Sequence, residues 1–205
     1  EIDIKMEAGT SHFLNEAMVN KLLIQNNKTV KNQAKSSLNL YGLETYVSKN
    51  PYLEKASVFL TIHGKLKIVV RQRTPVVRIV DKDNSYYVDK QGVKFPLSEH
   101  FSARVILVSG AEKEHEMNEL MPLIRIILED NFLRKEIVSI EKFDDGEVQF
   151  AVRSGEYKID FGNLTEIDTK FKKLKAFYNN TFSDKTIQNY KIINVKYHNQ
   201  VVCTK

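Results

Sequence analysis

The first fifty residues switch between the two periods that distinguish strands from helices. Residues 2–6 alternate apolar and charged side chains, which predicts a half-buried strand. Apolar residues then recur every three or four positions over 13–22 and again over 38–47, which predicts two helices with one buried face each. The second helix is expected to end near Asn50, because Pro51 disfavours helical geometry in the residue before it.

After Pro51, apolar and polar side chains again alternate with the two-residue period of a strand. Apolar and polar side chains alternate over residues 56–62, His63-Gly64 supplies a turn, and the alternation resumes over 65–73. This pattern predicts a β-hairpin with one basic face, formed by Lys65, Lys67, Arg71 and Arg73. The order strand, helix, helix, strand, strand is that of a small α+β unit whose two helices cover one side of a three-stranded sheet.

A second domain is predicted to begin at Thr74-Pro75, because proline lacks the amide that continues a ladder and the following sequence is rich in short strand patterns. Two longer stretches, 116–130 and 165–179, have the helical period instead. We therefore predict an α+β protein. It has a β-α-α-β-β domain over residues 1–73 and a larger, mainly antiparallel β domain with two helices over residues 74–205.

The chain closes with a strand pattern over residues 190–203, in which Asn199-Gln200 marks a bulge or a turn. A terminal strand is a natural sheet edge, whose unpaired amides and carbonyls can accept a strand from another protein. The same pattern suits an interior strand with both edges paired. The residues alone leave these two alternatives open.

Composition is that of an ordinary globular protein, with 42% hydrophobic and 28% charged residues. The net charge of +5 permits binding to nucleic acid or anionic lipid but does not require it, because the excess is spread thinly. The densest basic cluster, residues 170–175, alternates with Phe171 and Leu174 as a solvated helix face does, so we expect no nucleic-acid partner. No apolar run approaches the roughly 18 residues that cross a bilayer.

Catalytic groupings are not evident in the sequence. The five histidines are scattered singly, so no pair has the spacing of metal ligands. Cys203 is the only cysteine, which excludes an internal disulfide and favours a buried structural thiol over an activated nucleophile. Glycine-rich phosphate loops are also missing. We expect no catalytic, cofactor-binding or metal-binding residues, and therefore no enzyme.

Short motifs follow one another along the chain, and each alone is weak. In the first domain they are Leu43-Glu44, Asn50-Pro51, Ala56-Ser57-Val58, Leu66-Lys67-Ile68-Val69-Val70 and Arg73-Thr74-Pro75. In the second they are Tyr87-Val88-Asp89-Lys90-Gln91-Gly92, Pro96-Leu97-Ser98, Lys170-Phe171-Lys172-Lys173-Leu174, Ile193-Asn194-Val195-Lys196-Tyr197 and Gln200-Val201-Val202. In this order and spacing the chain resembles the FtsQ/DivIB cell-division proteins over nearly its whole length, and it is most similar to members from Bacteroidetes.

The resemblance implies a POTRA domain followed by a β domain in a non-enzymatic scaffold of the divisome, without cofactors. Such proteins have a short cytoplasmic tail, one inner-membrane helix and a periplasmic ectodomain enriched at the division septum. This chain is expected to be the last part, with its anchor upstream. The POTRA domain contributes to recruitment through other divisome components, and the β domain binds FtsB-like and FtsL-like proteins by accepting an FtsB strand at its C-terminal edge.

Carried over by position, the partner-binding edge consists of Lys196, Tyr197, Asn199, Gln200 and Val201. The family often has an acidic residue where Asn194 stands, which weakens any charge-based contact there.

One alternative function stays open. A POTRA-bearing transport or outer-membrane assembly component would capture client strands with the hairpin over residues 56–73. It is less favoured, because the sequence has one POTRA-like unit and no series of barrel strands.

Overall fold

A computed structural model describes residues 2–9, 11–26, 38–80, 84–181 and 186–205. Its elements, in chain order, are β1 (Ile2–Met6), α1 (Glu16–Asn26), α2 (Leu40–Ser48), β2 (Leu53–Leu60), β3 (Leu66–Gln72), β4 (Pro75–Ile79), β5 (Tyr86–Asp89), β6 (Lys94–Pro96), β7 (Ile106–Ser109), α3 (Glu114–Glu129), α4 (Leu133–Glu136), β8 (Ile137–Lys142), β9 (Val148–Val152), β10 (Lys158–Gly162), α5 (Ile167–Thr181), β11 (Ile192–Asn194) and β12 (Val202–Thr204). Contacts divide the chain into two units. Unit 1 comprises residues 1–75 and 89–103, and unit 2 comprises residues 76–88 and 104–205.

Unit 1 has the predicted β-α-α-β-β order. Its sheet has the order β1-β3-β2, with β1 parallel and β2 antiparallel to the central strand. The core lies between this sheet and the helices, and it contains Val19 of α1, Val47 of α2 and Ile68 of β3, all fully buried. The side chain of Asn39 caps α2 by accepting a hydrogen bond from the amide of Gly42 at 2.8 Å.

The segment 89–103 packs within unit 1, far in sequence from its other elements. The Phe95 ring lies edge-on to the Phe13 ring, with centroids 5.5 Å apart, and Phe101 packs against the same ring at 4.9 Å. The Tyr52 hydroxyl donates to the carbonyl of Leu97 at 2.8 Å. Contacts thus extend unit 1 past residue 73, and the domain boundary placed there stays a prediction.

The basic face of the β2–β3 hairpin is largely neutralised within unit 1. The Lys67 ammonium lies 3.6 Å from the carboxylate of Asp3, its register partner on β1. The Arg71 guanidinium lies 2.6 Å from the carboxylate of Glu7. Arg73 lies 2.7 Å from the buried carboxylate of Asp89. These cations therefore already have carboxylate partners in the folded unit.

Unit 2 is built on one large sheet, whose strands follow the order β12-β11-β10-β9-β8-β7-β4-β5. The sheet is mixed: β4 with β7, β7 with β8 and β10 with β11 are parallel, whereas β8 with β9, β9 with β10 and β11 with β12 are antiparallel. The β7–β8 and β10–β11 pairs are parallel because α3 and α5 connect these neighbouring strands, and a helical crossover returns the chain to the same end of the sheet. The α+β class itself is confirmed.

Helices α3 and α5 cover one face of this sheet. Leu120 and Ile124 of α3 and Leu174 of α5 are fully buried, and so are Phe150 and Ile159 of the strands beneath them. Burial alternates strictly along β9, as expected for a sheet with one covered face. Because α5 precedes the last two strands, its packing positions the C-terminal end of the sheet.

Candidate partner-binding edge

The last strand of the chain lies at the end of the larger sheet. Strand β12 pairs antiparallel with β11, with Ile193 opposite Cys203. Among the residues that the structure describes, no strand pairs with the other side of β12. The terminal position in the sheet is therefore as predicted, whereas its use by a partner stays a prediction.

Over residues 190–203 the chain forms a hairpin, so a turn rather than a bulge interrupts the predicted strand pattern next to Asn199-Gln200. Strand β11 ends at Asn194, and residues 195–201 connect it to β12. The side chain of Asn194 causes part of this break, since its Oδ1 accepts a hydrogen bond from the amide of Lys196 at 2.9 Å. An aspartate could accept the same bond, so the departure from the acidic residue of the family preserves this local function.

Backbone directions show which groups of β12 face outward. The carbonyl of Lys191 and the amide of Val195 form hydrogen bonds with β10. The backbone N–H and C=O of Ile193, which lies between them, therefore also point toward β10. Cys203 is the register partner of Ile193. Because the backbone groups of Ile193 point away from β12, the two residues form a non-hydrogen-bonded pair, and the backbone N–H and C=O of Cys203 point away from β11. Its N–H and C=O form the centre of the free edge.

Side chains of β12 alternate between the two faces of the sheet. Cys203 is half-buried against the core on the helix-covered side, as is Val201 just before the strand. Val202 and Thr204 are exposed on the other side. Burial raises the pKa of the Cys203 thiol, which keeps the thiol protonated and is the opposite of what a nucleophile needs.

All five residues carried over from the family lie in or at the end of the connection, not on the edge strand. The side chain of Tyr197 is about half exposed, and Asn199 and Gln200 are exposed. Val201 packs against the core. The Lys196 ammonium forms an ion pair with the Glu147 carboxylate of unit 2. The structure thus brings the five together beside one end of β12.

Lysines of α5 hold this connection and the turn before the helix, which the sequence pattern did not predict. The Lys173 ammonium donates to the carbonyl of Val195 at 2.8 Å and also to the carbonyl of Tyr197. Lys170 is buried, and it donates to the carbonyl and the side-chain oxygen of Asn163 at 2.7 and 2.8 Å. The predicted solvated face is therefore partly structural. Its only sequence signal is the density of lysines beside apolar residues.

A buried polar cluster fixes α5 against the strands. The hydroxyls of Ser154, Tyr157 and Tyr178 converge on the carboxylate of Glu136, with Tyr178 at 3.0 Å. Burial raises the pKa of both tyrosines, so their hydroxyls stay protonated and serve as donors. The hydroxyls are also bonded to one another, since those of Ser154 and Tyr157 lie 2.7 Å apart and that of Tyr157 donates to that of Tyr178 at 2.8 Å.

Metal and membrane sites are not evident in the part of the chain that the structure describes. Within it, no group of three or more histidine, cysteine, aspartate or glutamate side chains is arranged to hold a metal ion. Over the same residues, none of the helices combines the length and the apolar character that a bilayer crossing requires.

Comparisons with known proteins match two consecutive parts of the chain to family models. Residues 74–204 match the family model described as FtsQ/DivIB, C-terminal related, and residues 1–71 match that of the POTRA-like domain. No curated protein matches the chain.

Proposed function

Because the chain belongs to the FtsQ/DivIB family of cell-division proteins, we propose that it is a divisome scaffold whose unit 2 binds FtsB-like and FtsL-like proteins by strand addition at β12. The FtsQ/DivIB family is a non-enzymatic one. The observation that carries the proposal is the free edge of β12, with the N–H and C=O of Cys203 directed outward.

A partner strand would extend the ladder of the large sheet by one strand. Its backbone would exchange hydrogen bonds with Cys203, each contributing about 0.5–1.5 kcal/mol. Because side chains alternate, one set of partner residues would cover Val201 and Cys203, and the other would lie beside Val202 and Thr204. An apolar residue in the first set would cover the part of the Val201 side chain that is still accessible to solvent, which favours a strand with alternating apolar residues.

Unit 1 is proposed to recruit the protein to the septum through other divisome components, as its POTRA-like match suggests. The periplasm is the proposed location of both units, next to an inner-membrane anchor upstream of this sequence. The ion pairs of Lys67, Arg71 and Arg73 leave the hairpin without a strong unpaired basic face, so a protein surface is a better occupant than anionic lipid.

The test is binding to purified FtsB-like and FtsL-like ectodomains, measured by calorimetry with Cys203→Pro and Cys203→Ser variants. Proline removes the outward N–H at an edge position, and serine keeps that N–H while changing the side chain. We expect proline to weaken binding by about two- to tenfold and serine to leave it nearly unchanged. Equal affinities of the two variants, with circular dichroism showing both folded, would refute strand addition at β12.

A further inference from the structure

The ammonium of Lys196 has an internal partner. It forms an ion pair with the carboxylate of Glu147, which follows the turn between β8 and β9. About a third of the Lys196 side chain and two fifths of the Glu147 side chain are exposed, so the pair is partly shielded from water. The hydrogen bond and charge of Glu147 raise the pKa of Lys196, which keeps its ammonium protonated.

The stem of Lys196 lies across Gly162 at the end of β10. A Cβ atom on Gly162 would stand 2.7 Å from Cγ and 3.0 Å from Cδ of Lys196. Both distances are shorter than ordinary carbon contacts, so the stem occupies space that only glycine leaves free. Gly162 also has a positive φ of 76°, which suits glycine. The lysine thus bridges from the connection, over β10, to the start of β9.

Two further side chains, those of Asn194 and Lys173, hold the same stretch of backbone. The amide of Lys196 donates to Asn194, and the Lys173 ammonium binds the carbonyls on either side of Lys196, those of Val195 and Tyr197. These hydrogen bonds and the ion pair of Lys196 are all made within unit 2. The side chain that the family resemblance assigns to the partner is used to fix the connection next to β12.

We propose that Lys196 is a positioning residue: its ion pair with Glu147 across Gly162 holds residues 195–201 in the conformation that presents Tyr197 and β12 to the partner. This inference rests on the proposed function, and it changes the role of Lys196 from contacting the partner to shaping the edge. Tyr197, which is half exposed next to this bridge, is then the neighbouring side chain available for direct contact.

A double-mutant cycle separates positioning from direct contact. Lys196→Met keeps the stem and removes the charge, and Glu147→Gln keeps the shape of its partner. With the FtsB-like ectodomain as the probe, we expect each variant to weaken binding about three- to fivefold, and the double variant to be no weaker than either single one. If Glu147→Gln leaves affinity unchanged or increases it while Lys196→Met weakens binding, Lys196 contacts the partner and the proposal is wrong.

Hydrogen exchange of the protein without partner provides a second readout. Amides of residues 195–201 should exchange faster in Lys196→Met and in Glu147→Gln, while those of α3 stay unchanged. Unchanged exchange at 195–201 would overturn the positioning role even if strand addition is correct. Conversely, faster exchange together with full binding by Cys203→Pro would support the bridge and refute the proposed function.

Glycine replacements provide a matched pair of variants. Gly162→Ala and Gly92→Ala place an alanine at similar φ values of 76° and 84°, but nothing lies within 4 Å of the new Cβ at Gly92, which is in unit 1 and far in sequence from Lys196 and Glu147. Both variants carry the same backbone strain, and only Gly162→Ala displaces the Lys196 stem. We expect faster exchange at residues 195–201 for Gly162→Ala alone. Equal effects of the two alanines would contradict the bridge over Gly162.

Discussion

Replacing Phe95 by alanine should destabilise unit 1, although this residue lies more than twenty positions beyond the predicted boundary at residue 73. Its side chain is 3% exposed, and its ring packs edge-on against Phe13 and Tyr52, with centroids 5.5 and 6.3 Å away. Phenylalanine-to-alanine changes in cores cost about 3–5 kcal/mol, because transfer energy is lost and a cavity remains. We expect the free energy of unfolding of unit 1 to fall by about 3 kcal/mol, the lower end of this range, because neighbouring rings can partly collapse into the cavity.

Native-state hydrogen exchange measures this loss separately for each unit. The amides of Ile68 and Val70 on the central strand β3 report opening of unit 1, and those of Phe150 and Ile159 report unit 2. A loss of about 3 kcal/mol accelerates exchange roughly 100-fold in unit 1.

The matched control is Val93→Ala, on the same segment but 38% exposed, which should change stability by less than about 0.5 kcal/mol. Unchanged exchange at β3 in the Phe95 variant would refute the assignment of residues 89–103 to unit 1.

Three other outcomes are expected from the polar contacts of unit 2. Tyr178→Phe removes a donor from the buried Glu136 cluster and should lower the free energy of unfolding by about 1–2 kcal/mol in denaturant titrations, against little change for Tyr190→Phe. Lys173→Met should speed exchange at residues 195–201 and weaken partner binding, whereas its exposed neighbour Lys172→Met should do neither. Burial opposes ionisation of Asp130, but its hydrogen bonds hold its pKa below the ordinary value, so stability should fall as pH drops through that lowered pKa, and Asp130→Asn should remove this dependence.

Local patterns were sufficient to predict the order of helices and strands over residues 2–72. The change of period at Pro51 and the turn at His63-Gly64 depend on neighbouring residues only, and the structure has α2 ending at Ser48 and the hairpin as expected. The pattern does not predict contacts between residues that are distant in sequence. The rings of Phe13 and Phe95, for example, meet only in the folded unit. The same holds for the parallel pairings of the larger sheet, because strand direction depends on which strands become neighbours.

For the candidate site, too, the sequence predicted the location but not the features that depend on side-chain and tertiary contacts. Its location at the end of the chain was predicted from a strand pattern and a family resemblance, and β12 does lie at the sheet edge. That β11 already ends at Asn194 depends on the side chain of this residue, which accepts a hydrogen bond from the amide of Lys196. The roles of Lys173 and Lys196 depend on tertiary contacts with carbonyls and with Glu147, and a lysine on an amphipathic pattern looks the same whether it is solvated or bonded.

The most direct test of strand addition is the exchange rate of the Cys203 amide with and without an FtsB-like ectodomain. Free of partner, this N–H faces outward from the last strand and should exchange rapidly. In the complex it should become strongly protected, with contacts between its backbone and that of the partner strand in nuclear magnetic resonance spectra. Tight binding with an equally rapid Cys203 amide, and protection located elsewhere in unit 2, would contradict the central claim.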